Sequence, residues 1–282
     1  MSIKNSILYV LLYLLPKNCV SALMGRLVSI RLPRALAVTV NKLFARAFRI
    51  PVEEAEKPIH EYPCLQDFFV RRLKSGLRPI AEGDVMISPC DGFLSVAAEI
   101  TNDSLIQAKG KNYSLTDLFQ HEELARKFSG GQYATIYLSP KDYHRFHVPL
   151  HGVIERTYYI PGNLWPVNRW AVDNVENLFC QNERVISLIR HANNKILAHI
   201  AVGATMVGKI DLSYLKLDYT MPKNGQAYLI EHEPKPVVLG QELGKFMFGS
   251  TIILVMEQGL LVDAGTKNFG NVKMGELLGR LR

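Results

Sequence analysis

Two textures divide the chain. Over the stretch "SALMGRLVSIRLPRALAVTVNKLFARAFRI", Arg and Lys recur every three to eight residues among Leu, Val, Ile and Phe. In helical form this sets basic stripes beside apolar faces, the pattern of helices lying in a bilayer interface. A helical hairpin packed on the main domain, its arginines solvated, is the competing arrangement. From about residue 86 the pattern changes to short runs between turns. "VMISP", "GFLSVAAEI", "YATIYLSP", "GVIERTYYI", "RVISLIR", "KILAHIAVGATMVGKIDL" and "STIILVM" are rich in Val, Ile, Thr and Tyr and predict strands. Further helices are expected over "CLQDFFVRRLKSGLRPI", closed by Gly76 and Pro79, over "SLTDLFQHEELARKF", and over the terminal "ELLGRL". Ser114 and Asp117 give the second of these a capping-box-like start. The predicted class is α+β: basic amphipathic N-terminal helices followed by a mainly antiparallel β domain.

Charge sharpens the division. Residues 1–50 hold Lys4, Lys17, Arg26, Arg31, Arg34, Lys42, Arg46 and Arg49 and no acid, a net of +8. The rest carries 25 basic and 26 acidic residues, so the formal +7 of the whole chain belongs to one segment. That distribution argues against a general nucleic-acid surface. Each Lys or Arg near an anionic leaflet contributes roughly 1 kcal/mol, so the segment suits a membrane surface. "PVEEAEKPIHEYP", residues 51–63, brings three prolines and four glutamates and predicts the boundary between segment 1–50 and a domain over 51–282.

The run "ILYVLLYLL", residues 7–15, has nine apolar residues, too few for a membrane span of about 20. No small-x-small cleavage site follows Pro16, so a cytoplasmic-face, peripheral location is expected. Cys19, Cys64, Cys90 and Cys180 are widely spaced without a C-x-x-C pair, which predicts neither a disulfide framework nor a thiolate metal site.

Three constellations in the β-rich part offer chemistry. Asp91-Gly92 in "SPCDGFLS" is a common turn dipeptide and alone carries no more than a turn. "YLSPKDYHRFHVPLHG" contains His144, His147 and His151. A three-histidine metal site would need them on one helical face, but Pro149 breaks such a helix. In a strand, His144 and His147 point to opposite sides. Imidazoles at a strand–loop edge suit general acid–base work instead. The third is Gly249-Ser250-Thr251 inside "KFMFGSTIILV". A glycine within a strand marks a β-bulge, or else a serine that needs a flexible neighbour on its amino side. The elbow G-x-S-x-G is absent, because the run after Ser250 lacks the second glycine.

Together these stretches resemble one family, the bacterial phosphatidylserine decarboxylases, which are pyruvoyl-dependent enzymes made as self-cleaving precursors. The resemblance runs through "DFFVRRL", "SPCDG", "QAKGKNYSL", "YLSPKDYHRFHVP", "IPGNLWPVN", "NLFCQNERV", "VGATMVG" and "GQELGKFMFGST". It implies that Ser250 becomes the pyruvoyl cofactor and that Gly249 lies across the cleaved bond. It also implies that Asp91, His147 and Ser250 form the self-cleavage triad and that His144 serves the decarboxylation step. Phe248 departs from the pattern, where Leu more often precedes Gly-Ser-Thr, and bears on the rate of cleavage.

The chemistry suits these residue types. Ser250 Oγ would attack the carbonyl carbon of Gly249, whose missing Cβ leaves the approach open. His147 would take the hydroxyl proton, with Asp91 fixing its tautomer. The ester then undergoes β-elimination, releasing residues 1–249 with a carboxylate; the dehydroalanine left at 250 hydrolyses to a pyruvoyl cap and ammonia. The resemblance implies a Schiff base with phosphatidylserine, loss of CO2, and phosphatidylethanolamine as product. It implies no metal, a heterodimer of residues 1–249 and 250–282 that is itself compatible with a further dimer, and an anionic membrane lipid as partner. Three other readings compete: a metal-dependent hydrolase on His144, His147 and His151, a non-enzymatic membrane scaffold, and a pyruvoyl enzyme for a soluble amino acid.

Overall fold

The structure is a computed structural model and describes residues 9–10, 13–108, 111–205, 209–222, 224, 226–247, 250–263 and 269–282. Residues 9–10 and 13–14 are helical; helices α1 (Lys17–Val28) and α2 (Arg34–Phe48) follow, and Pro16 and Pro33 stand at their starts, where a missing N–H costs nothing. Two 3-10 turns, Val52–Glu54 and Ile59–Glu61, lead to α3 (Leu65–Phe69). Then come β1 (Val85–Ile87), β2 (Gly92–Glu99), β3 (Ser104–Ala108), β4 (Lys111–Ser114), α4 (Leu115–Phe119) and α5 (Glu122–Arg126). Strands β5 (Gln132–Leu138), β6 (Arg145–His147) and β7 (Gly152–Ile160) precede α6 (Arg169–Asn174) and α7 (Leu178–Gln181). The remainder is β8 (Arg184–Arg190), β9 (Ile196–Val202), β10 (Ile210–Leu212), β11 (Tyr228–Ile230), β12 (Lys235–Val237), β13 (Glu242–Phe246), β14 (Ser250–Met256), β15 (Leu261–Asp263), β16 (Gly270–Val272) and β17 (Leu277–Leu281).

Nine strands make one antiparallel sheet in the order β11-β7-β8-β9-β14-β5-β2-β16, with β12 also on β7. Its middle strands β9 and β14 are buried at every position, which is why they read as unbroken apolar runs rather than alternations. Toward one edge, β2 alternates buried and exposed residues, as a half-covered strand should. A three-stranded sheet, β10-β13-β6, and another, β1-β17-β15, stand beside it. The class is α+β, as the sequence pattern predicts.

Three predicted helices differ. The segment after Cys64 is helical only over Leu65–Phe69, because Arg71 turns inward and is almost wholly buried. "SLTDLFQHEELARKF" forms two helices, since Gln120 adopts a left-handed φ of 48° and ends α4. Ser114 caps α4 as expected, accepting the Asp117 N–H at 2.9 Å. "ELLGRL" is strand: six residues are too short to hold a helix alone, and β1 and β15 offer ladders on both sides of β17.

The N-terminal helices are packed inside out. α1 buries Lys17 and Ser21, and α2 buries Ala37, Asn41 and Ala45, while Leu23, Leu27, Ile30, Leu36 and Leu43 remain 50–60% exposed. Asn41 Nδ2 donates to the Tyr62 carbonyl at 3.1 Å, so its burial is compensated. Phe44 of α2 meets Phe69 edge-on, ring centroids 6.1 Å apart, which ties the helix to the β domain.

Candidate active site

Ser250 opens β14, the strand between β5 and β9, and its register partner on β5 is Leu138. The loop leaving Leu138 carries Ser139 to His144 and delivers the chain into β6, which pairs with β13. The Phe246 N–H donates to the His144 carbonyl at 2.9 Å. His144 is therefore held from two sides, by the end of β5 and by the strand that leads to Ser250. Gly249 and Phe248 lie outside the described residues.

The loop is locked before the histidines begin. Asp142 Oδ2 accepts both the N–H and the hydroxyl of Ser139 at 2.7 Å, a tight local turn. The Asp142 carbonyl lies 2.9 Å from His144 Nδ1. A carbonyl only accepts, so Nδ1 carries the proton and Nε2 is left as a base. That Nε2 is buried without a partner. Burial, reinforced by the nearby Arg71 cation, pushes the His144 pKa down to about 3, so the ring is neutral at physiological pH. Phe69 covers it, ring centroids 4.1 Å apart.

His147 has the same tautomer by the same logic. Its Nδ1–H donates to the Gly240 carbonyl at 2.9 Å, and its Nε2 accepts from the Tyr143 hydroxyl at 3.2 Å. Burial also lowers its pKa, while the charges of Glu242 and Asp91 pull the other way. Gly240 has a φ of 77°, and a Cβ there would meet Ile80 Cδ1 at 2.2 Å, so glycine is needed where the carbonyl aims at His147.

Asp91, buried at the start of β2, makes its bonds elsewhere. Arg78 donates to both of its oxygens, Nε at 2.9 Å to Oδ1 and Nη2 at 2.5 Å to Oδ2, and the Met274 N–H donates to Oδ1 at 2.9 Å. Arg78 also reaches Glu54 at 2.6 Å, so the segment 51–63 is bolted to this corner. It is the Gly240 carbonyl, not Asp91, that lies against His147 Nδ1. The backbone just before Asp91 is close by: the His147 N–H donates to the Pro89 carbonyl at 2.7 Å.

Ser250 Oγ and Thr251 Oγ1 are buried with no hydrogen-bond partner, as are two nitrogens of Arg71, Nε and Nη1. A buried hydroxyl left unpaired costs about 1–3 kcal/mol, and such groups gather where a chain has chemistry to do. His151 does not join the other two histidines: its Nδ1 accepts the Leu239 N–H at 3.3 Å on the outside of the fold. Among the described residues no group of three His, Cys, Asp or Glu side chains is arranged to hold a metal ion.

The structure also brings in residues that the motifs did not single out. Arg78, Tyr143, Gly240 and Phe69 position the predicted set. His199 of β9 lies across from Leu254 of β14, its ring stacked on Phe146 at 5.2 Å and its Nε2 buried without a partner. A histidine inside the apolar run "KILAHIAV" was the one available sign of it.

Known proteins match this chain along most of its length. The family profile described as phosphatidylserine decarboxylase matches residues 65–280. The phosphatidylserine decarboxylase proenzyme of Anaeromyxobacter sp. (strain K) is 40% identical over 272 residues, covering 95% of this chain and 96% of that protein. The proenzyme of the same name from Brevibacillus brevis is 39% identical, covering 95% of each. That of Myxococcus xanthus is 38% identical over 273 residues, covering 95% of this chain and 96% of its own.

Proposed function

Since the chain belongs to the phosphatidylserine decarboxylase family, we propose that it is a self-cleaving, pyruvoyl-dependent carboxy-lyase that converts phosphatidylserine to phosphatidylethanolamine. The observation that carries this reading is the buried, unpartnered Ser250 Oγ at the head of β14, beside a loop that presents two neutral imidazoles. The residues fit a pyruvoyl group at position 250: the site is buried, the adjacent Thr251 hydroxyl is unpaired, and His144 Nε2 is free to exchange a proton. That group supplies a carbonyl that captures the substrate's amine and takes up the electron pair left when CO2 departs.

The chain's own residues do the remaining work. For maturation, His147 Nε2 accepts the proton of Ser250 Oγ as the oxygen attacks the Gly249 carbonyl. Tyr143 and Gly240 hold the imidazole, and the Asp91 carboxylate, itself fixed by Arg78, stabilises the imidazolium that forms. For decarboxylation, His144 Nε2, unprotonated at rest, accepts a proton given up by the substrate's ammonium and returns it to the α-carbon. A buried site walled by Phe69 suits the departure of CO2, because a carboxylate stripped of solvent is a poorer ground state.

The chain divides, on this reading, into a membrane-association segment, 1–50, and a catalytic domain, 51–282, cut into 1–249 and 250–282. The exposed leucines of α1 and α2 and the acid-free charge of the segment support peripheral association with the cytoplasmic side of the cell membrane. No helix among the described residues is long and apolar enough to cross a membrane.

Intact-mass analysis of the purified protein tests the assignment. Two chains are expected, 1–249 and 250–282, the smaller with a blocked terminus that reacts with hydroxylamine. Ser250→Ala should give one uncleaved, inactive chain, and His144→Ala a cleaved chain that releases no CO2. An active preparation made of a single unprocessed chain would sink the reading.

A further inference from the structure

A groove of about 690 Å³ opens between α1 and the β10–β13 ladder. Ala22, Gly25 and Arg26 of α1 and its C-cap residue Ser29 line one wall at helical spacing, and the small Ala22, Gly25 and Ser29 leave the space open. The opposite wall carries Lys209, Lys216 and Leu217. Met247, three residues before Ser250, also lines it, and the Met247 N–H donates to the Lys209 carbonyl at 3.2 Å. Lys209 is thus anchored to the strand that leads into the catalytic bond. Its ammonium lies 5.3 Å from the centre of the Tyr219 ring, whose hydroxyl donates to the Ile210 carbonyl and so steadies the platform.

The charge of the groove is uncompensated. The acid that lines it, Asp211, is engaged by Lys245 at 3.1 Å. Among the described residues, Arg26, Lys209 and Lys216 form no ion pair. A concave site with three free cations, whose outer wall is also the helix that exposes Leu23 and Leu27, matches a ligand with an anionic head and apolar tails.

We propose that this groove seats the phosphodiester of the phosphatidylserine headgroup, with Arg26, Lys209 and Lys216 on its anionic oxygens and the acyl chains leaving along the exposed face of α1. The assignment rests on the functional reading above and adds the subsite. It also explains where the cations stand. A cation on the departing carboxylate would stabilise the reactant and slow the loss of CO2. A cation on the phosphate, which does not react, spends binding energy on orientation alone.

The test is binding of dihexanoyl phosphatidylserine, kept monomeric, to the full-length chain, followed by the phosphorus resonance of the lipid. A phosphate-free O-alkylserine of similar length is the comparison ligand, followed by competition. Lys209→Glu with Lys216→Glu should weaken the phospholipid at least about tenfold, as loss of one charge-assisted contact predicts, and change O-alkylserine binding less than twofold. Reversal at Lys127 and Lys235, which do not line the groove, controls for net charge. Lys209→Arg with Lys216→Arg should keep the affinity, so a fold defect in the first variant is recognised by its separate loss of O-alkylserine binding. Unchanged phospholipid affinity in the Glu variant, equal loss of both ligands while the Arg variant also fails, or the same loss in the control variant overturns the assignment. CO2 release by the wild-type chain is recorded alongside. Binding without CO2 release would refute the decarboxylase reading and leave the phosphate site standing.

Discussion

His144 and His199 are neutral because the fold leaves them no water, and each is held near a pKa of about 3 by burial. An unfolded histidine titrates near 6.5. Between those values the unfolded chain binds the protons and the native chain does not, so stability rises with pH and falls on acidification below about 6.5. Each such histidine contributes about 1.4 kcal/mol per pH unit inside that window. Asp142, whose pKa burial raises, works in the opposite sense. The urea midpoint should therefore drop clearly from pH 7 to pH 5, and His199→Gln should flatten part of that drop, His144 and His147 supplying the rest. A midpoint that rises or holds steady on acidification would contradict the assignment of both rings as neutral. Such pairs are not legible in a sequence. The His144 and His147 motif is local, so it can be read, whereas His199 matters through its stacking on Phe146, and Asp91 through Arg78.

At the level of elements, α1 and α2 show what a sequence pattern settles and what it leaves open. Basic and apolar residues at helical spacing predict amphipathic helices, but not which face turns inward. Small and polar residues turn in here, and the leucines turn out. Burying one leucine in a bilayer interface is worth about 1.5–3 kcal/mol. Leu23→Gln with Leu27→Gln should therefore release the protein from anionic vesicles in a flotation assay, with self-cleavage intact as the sign of a sound fold. Undiminished flotation would show that charge alone holds the protein to the membrane. Strands β8, β9 and β14 were readable because burial on both faces leaves continuous apolar runs. The terminal β17 was not, since six residues of "ELLGRL" take their conformation from the ladders of β1 and β15. α3 stops early for a similar reason: Arg71, buried, donates to the Lys141 carbonyl at 3.2 Å instead of continuing the helix.

Across the whole molecule, residues 250–282 are threaded through two sheets. β14 runs between β5 and β9, β16 closes on β2, and β17 lies between β1 and β15. Cutting the chain before Ser250 removes one covalent link and none of these ladders. The two products are therefore expected to elute together at native pH and to separate only in denaturant, as gel filtration with and without urea will show. Dissociation of the small chain under native conditions would mean that the strand order described here is wrong.

The position of β14 has a further consequence. On the mechanism proposed above, Ser250 reaches its histidines only after β5 and β9 have paired with β14 on both sides. A copy that stalls before that point keeps an ordinary serine and never becomes an electrophile. Reactivity thus works as proof of correct assembly: the cell gains a ketone able to capture amines only in those molecules that have finished folding.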